Sequence, residues 1–215
     1  MSLFYKAAPK PSTQTELHPA LILLHGRGTD ENDLLGLASY FDPRFQIISV
    51  RAPMQFPYGG YTWFDLNDLG NIDAGQLQQS YRQVLEVIDE LPKKYSIDPS
   101  NIFLYGFSMG AMMSLVLALA HPEKIRGAVV HSGLLPENAG IDYRWQELQK
   151  TSFFIAHGTY DPVVPVELGS RANELLAKTQ ARLHYKEYPI GHTISEESLN
   201  DTAEWLRAQL ENQSH

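Results

Sequence analysis

The chain has 215 residues, enough for one domain with a substantial core, here taken as spanning 1–215. An apolar share of 43% and a charged share of 20% are ordinary for a globular protein. The net charge of −8 excludes a dedicated nucleic-acid binder, which needs a basic stripe, and the absence of cysteine excludes disulfides, thiolate metal sites and thiol nucleophiles. Met1 to Pro19 lacks the basic start and apolar run of a secretory signal, and no window reaches the roughly 18 apolar residues that span a bilayer. A cytoplasmic protein without integral membrane association is expected.

In chain order, short apolar runs alternate with longer segments of helical period. Buried strands are expected at Ala20 to Leu24, Phe45 to Val50, Ile102 to Tyr105, Gly127 to His131 and Phe153 to Ala156. Arg182 to Tyr188 alternates polar with apolar and suits a strand near an edge. Helices are expected at Glu31 to Tyr40, Leu77 to Tyr95, Met109 to Ala120, Val166 to Lys178 and Ser195 to Leu210. His121-Pro122 closes one helix, and Asp98-Pro99-Ser100 marks a turn before a strand. This alternation predicts an α/β fold, a mostly parallel central sheet with helices on both faces, whose ligands bind at the carboxyl ends of the strands.

Between strand Ile102 to Tyr105 and the helix from Met109 lies Gly106-Phe107-Ser108-Met109-Gly110. A nucleophile on a sharp strand-to-helix turn needs neighbours without Cβ bulk, and the two glycines provide that. The motif alone would arise by chance about once in fifteen chains of this size, so its partners must decide. A serine hydroxyl needs an imidazole to take its proton, and on such turns the partners follow as acid and then histidine. Of the histidines after Ser108, His121 ends a helix, His184 lies within a strand and His215 is the last residue. His131 and His157 end strands with little or no chain before them for an acid on a neighbouring strand. His192 follows the strand Arg182 to Tyr188 through Pro189-Ile190-Gly191, at a carboxyl edge. Asp161, stiffened by Pro162 and Pro165, occupies the equivalent loop one strand earlier, whereas the rival Asp142 follows no strand directly. Ser132 is the competing nucleophile, but no glycine stands two positions before it. The predicted set is therefore Ser108 as nucleophile, His192 as base and Asp161 as the acid that orients it.

Leu24-His25-Gly26-Arg27-Gly28 can aim backbone N–H groups at a developing oxyanion, and the backbones of Arg27 and Met109 are the expected donors. The Arg27 side chain is expected either at the site mouth or in an ion pair with Asp30, Glu31 or Asp65. The loop Pro53 to Phe64 is dense in aromatics, and Phe56, Tyr61, Trp63 and Phe64 are read as a substrate wall. The same density would serve a loop folded onto the core.

These pieces, with Trp63-Phe64-Asp65, His157-Gly158 and Gly191-His192, resemble the phospholipase/carboxylesterase family of α/β-hydrolases, which includes bacterial carboxylesterases and acyl-protein thioesterases. The resemblance spans nearly the whole chain. It implies the α/β-hydrolase fold, the triad Ser108, Asp161 and His192, and oxyanion donors at Arg27 and Met109. Many relatives carry glutamine at Met109, and thioesterase relatives carry an apolar residue at Arg27. The second departure puts short- to medium-chain acyl esters ahead of long-acyl protein substrates. The connection from His131 to Phe153 is too short for a cap domain, so an open site is expected. The implied reaction is hydrolysis of a small-molecule ester or thioester through an acyl-enzyme. It needs no cofactor and no metal, and no histidine pair shows zincin spacing. A homodimer is compatible with the sequence. Acyl-protein thioesterase or lysophospholipase-type activity, a peptidase or lactone hydrolase, and a weakly catalytic binding module on the same shell are the alternatives.

Overall fold

The computed structural model describes residues 3–11, 16–68 and 71–211. The first half runs β1 (Tyr5–Ala7), β2 (His18–Leu24), α1 (Asn32–Leu35), β3 (Gln46–Val50), β4 (Met54–Gln55), β5 (Tyr61–Thr62), β6 (Leu66–Asp68), β7 (Asn71–Ile72) and α2 (Ala74–Tyr95). The second half runs β8 (Ile97–Phe107), α3 (Met109–Ala120), β9 (Ile125–His131), β10 (Ser152–Gly158), α4 (Val166–Leu176), β11 (Arg182–Tyr188) and α5 (Glu196–Glu211). Among the described residues a seven-stranded sheet has the order β1-β3-β2-β8-β9-β10-β11. Only β1 is antiparallel in it, and β11 forms the far edge, as its alternating pattern predicts.

Both faces of the sheet are apolar, which explains why its strands are unbroken hydrophobic runs. Ala20, Ile22 and Leu24 of β2 face one core with Leu104 of β8 and Ile155 of β10, beneath α2, α3 and α4. Leu21, Leu23, Phe103 and Phe154 face the other, beneath α1 and α5. All twelve residues of α3 are buried, so this helix is hydrophobic all round and carries no solvent-facing stripe.

Several boundaries differ from the sequence reading. The helix expected from Glu31 to Tyr40 is only α1 followed by a 3-10 turn at Ala38–Tyr40, because Gly36 sits where continuous helix would have to form. The α2 helix begins three residues early, where the Asp73 side chain accepts the Gln76 N–H and caps a polar first turn that hydrophobic periodicity does not register. The connection between β9 and β10 carries one 3-10 turn, Trp145–Glu147, and no cap domain. His215 lies outside the described residues.

Candidate active site

The strand β8 ends at Phe107 and α3 starts at Met109, leaving Ser108 alone on the turn with φ 55° and ψ −117°. A non-glycine residue in that region is strained, and its surroundings must enforce it. They do so by close approach. A Cβ on Gly106 would stand 2.2 Å from the Gly110 carbonyl oxygen, and one on Gly110 would stand 1.8 Å from the Leu24 carbonyl oxygen. The Ser108 N–H donates to the His131 carbonyl at 2.9 Å, which ties the turn to β9.

His192 lies in the loop between β11 and α5. Its Nε2 is 2.9 Å from Ser108 Oγ and its Nδ1 is 2.7 Å from Asp161 Oδ2. The Phe107 ring packs against the imidazole with centroids 4.9 Å apart. The Asp161 carboxylate is sealed from solvent, while the His192 side chain keeps 16% of its surface. The other carboxylate oxygen, Oδ1, accepts N–H bonds from Val163 at 2.9 Å and Val164 at 2.8 Å. Burial alone would raise the Asp161 carboxyl, but the Val164 N–H, the His192 bond and the Val163 N–H outweigh it and hold it below the usual carboxylate range. The structure thus brings together the three residues picked from sequence. Asp142 is exposed on the β9–β10 connection, and Ser132 is fully buried with its hydroxyl unpartnered among the described residues.

Two supports of this arrangement left little trace in the sequence. His157 Nε2 donates to the Val164 carbonyl at 2.8 Å, so it pins the loop that carries Asp161. His25 accepts the Ala52 N–H on Nε2 at 3.0 Å, which leaves its Nδ1 proton for the Gly26 carbonyl at 2.6 Å. Burial lowers the His25 pKa and keeps the ring neutral for this double duty. The turn it shapes passes beside the nucleophile, since a Cβ on Gly26 would stand 3.5 Å from Ser108 Cβ. Arg27 is the next residue of that turn, and the Met109 N–H opens α3, where no carbonyl of the helix reaches it.

The aromatic loop divides. Phe56 and Tyr61 are half-buried, and Tyr58 is 90% exposed. Trp63 and Phe64 are fully buried, Trp63 turned into the core and Phe64 lining the cleft beside Arg27 and Phe56. Trp63 can be sealed because its indole N–H has an internal acceptor, the His25 carbonyl at 2.8 Å. Tyr61 serves Arg51, whose guanidinium lies 4.6 Å from the ring centre. Nor does Arg27 pair with Asp30, Glu31 or Asp65. Its guanidinium lies over Phe56 at 5.2 Å and reaches the Leu66 carbonyl at 3.4 Å. Glu31, fully buried, is instead bound by both ends of the Arg51 fork and by Lys6 at 3.2 Å. These bonds, the Arg51 fork first, lower its carboxyl to about 2. Asp65 takes a bond from Gln76. Arg27 and Phe56 border an open cleft of about 310 Å³ whose floor includes Phe64.

A parallel sheet covered on both faces, with a serine on a strained strand-to-helix turn, defines an α/β-hydrolase. The phospholipase/carboxylesterase family pattern matches residues 11–210, and the chain belongs to that family. It is similar to a probable SOBER1-like carboxylesterase of Arabidopsis thaliana, 31% identical over 75% of this chain and 65% of that relative, slightly under two thirds of its length. It is also similar to acyl-protein thioesterase 1 of Candida albicans, 28% identical over 94% of this chain and 96% of that one. Among solved structures, a carboxylesterase of Bacillus cereus superposes with a TM-score of 0.85 at 27% identity, covering 96% of this chain and 94% of the other. No helix among the described residues is long and apolar enough to cross a membrane.

Proposed function

We propose that this hydrolase cleaves short- to medium-chain carboxylic esters with Ser108 as nucleophile, His192 as general base and Asp161 as the group that orients the base. The observation that carries the reading is the unbroken chain of contacts from Ser108 Oγ to His192 Nε2 at 2.9 Å and from His192 Nδ1 to Asp161 Oδ2 at 2.7 Å. His192 takes the Ser108 proton as Oγ attacks the acyl carbonyl. The N–H groups of Arg27 and Met109 receive the oxyanion, and the imidazolium then protonates the leaving alcohol. Water repeats the sequence on the acyl-enzyme. Asp161 stays ionised throughout, since its own hydrogen bonds favour the charged form.

A recess of about 210 Å³ beyond the carboxyl end of β9 has apolar walls from Ile72, Leu134, Leu135, Pro136, Ala139 and Leu168 and a polar side of Glu137, Asn138 and Arg171. Taken as the acyl site, it is smaller than the roughly 300–1,000 Å³ of sites that enclose drug-sized ligands, which favours short acyl groups over long ones. Thioester cleavage is the second reading, favoured by the thioesterase among the relatives.

The test is Ser108→Ala. Hydrolysis of p-nitrophenyl acetate and labelling by an alkyl fluorophosphonate should both vanish while the fold survives. Retained labelling, or labelling mapped to Ser132, would remove the assignment. A chain-length profile of esters against thioesters decides between the two substrate classes.

A further inference from the structure

The carboxyl end of β9 lies between the nucleophile turn and the start of α5. The His131 backbone carbonyl holds the Ser108 N–H at 2.9 Å. Its imidazole, fully buried, reaches α5 instead, with Nε2 3.0 Å from Ser198 Oγ. Ser198 belongs to the cap that starts α5. The Ser195 N–H donates to Ser198 Oγ at 3.0 Å, the Ser198 N–H donates to Ser195 Oγ at 3.1 Å, and the Ser198 hydroxyl donates to the Ser195 carbonyl at 3.0 Å. The Ser195 hydroxyl also lies 3.1 Å from Ser198 Oγ. Whichever ring nitrogen carries the proton, His131 Nδ1 has no partner among the described residues. Burying an imidazole with one empty nitrogen is costly where an aliphatic side chain would fill the same space.

What the imidazole holds is the loop of the base. Ser195 stands three residues after His192, and the Phe107 ring lies against both imidazoles, 6.0 Å from His131 and 4.9 Å from His192. We propose that His131 is a positioning residue for His192, its Nε2–Ser198 bond and the shared Phe107 ring fixing the loop 191–195 against the turn of Ser108. This rests on Ser108 and His192 being nucleophile and base. His131 touches no reacting atom. Changing its side chain leaves its carbonyl on the Ser108 N–H, so a variant isolates the effect on the base.

The experiment compares wild type, His131→Leu, His131→Gln, Ser198→Ala and the double variant His131→Leu/Ser198→Ala in p-nitrophenyl ester kinetics and thermal melts. In His131→Leu, kcat should fall roughly tenfold, as expected when a reacting group is slightly misplaced, with KM changed by less than about twofold. Its melting temperature should not fall, because an unpaired buried nitrogen has been removed. His131→Gln, whose side-chain amide can donate near the same point, should recover most of kcat. Ser198→Ala should lose a similar share of kcat, and the double variant should lose no more than either single change. Wild-type kcat in His131→Leu, no recovery in His131→Gln, or additive losses in the double variant would each overturn the proposal. If His131→Leu does not fold, Ser198→Ala decides, and an undiminished kcat there overturns it. Fluorophosphonate labelling of the wild type runs alongside. Failure to label sinks the triad reading itself, whereas labelled wild type with unaffected variants sinks only the role of His131.

Discussion

Asp161 shows how much of this site depends on one oxygen each way. Oδ2 meets His192, and Oδ1 is held by two backbone N–H groups. Asp161→Asn keeps the shape but sets an amide nitrogen against a ring N–H or a backbone N–H. The variant is expected to lose about 10³–10⁴ in kcat with little change in KM, measured by steady-state kinetics on a soluble ester. Glu31 is the structural counterpart. Arg51→Ala strands a carboxylate that has no exposed surface, leaving it Lys6 and a long bond from the Asn32 amide, and should cost about 3 kcal/mol in urea unfolding. The two cases differ in legibility. Ser108, Asp161 and His192 could be picked from sequence because glycines and prolines mark the strand ends on which they stand. The Glu31–Arg51 pair joins positions with no periodic relation, so nothing local announces it, and Glu31 is only one of three acids within sequence reach of Arg27. The burial of Trp63 is illegible for a related reason: composition shows that a loop is aromatic but not which rings turn inward.

At the scale of elements, the nucleophile turn is a place where backbone meets backbone. A methyl group on Gly110 would enter the Leu24 carbonyl oxygen, and one on Gly106 would enter that of Gly110, so no side chain can move aside to make room. Gly110→Ala should therefore destabilise the fold by at least the roughly 3 kcal/mol at the upper end of overpacking costs, or leave the protein insoluble. A thermal melt of the soluble fraction checks this. The buried strands and α3 were legible because apolar residues on both faces, or all round, make unbroken runs. By contrast β1 and β4 to β7 have two or three residues each, too few to show a period; β1 is held by pairing with the remote β3, and β4–β5 and β6–β7 are short antiparallel pairs closed within the loop.

Over the whole molecule, buried imidazoles set the acid limit. Burial first, then the nearby His157 and His192, push His131 down to about 3, and burial lowers His25 as well. Both rings stay neutral in the native chain but bind protons at their ordinary pKa once unfolded. Their contribution to stability is complete above about pH 6.5 and shrinks as the pH falls toward the folded values, His131 alone accounting for about 2 kcal/mol by pH 5. The carboxyls of Asp161 and Glu31, held low when folded, add their losses only below about pH 4. Urea midpoints at pH 7 and pH 5 should differ in that direction. A midpoint that holds steady would mean that the imidazoles are not buried as described.

The short link between β9 and β10 has a bearing on kinetics as well as shape. With no cap domain on that link to be displaced at an oil–water boundary, catalysis has no reason to wait for one. Velocity on a sparingly soluble ester should climb smoothly and level off at its solubility limit, without the sudden acceleration on emulsion droplets that lidded lipases display.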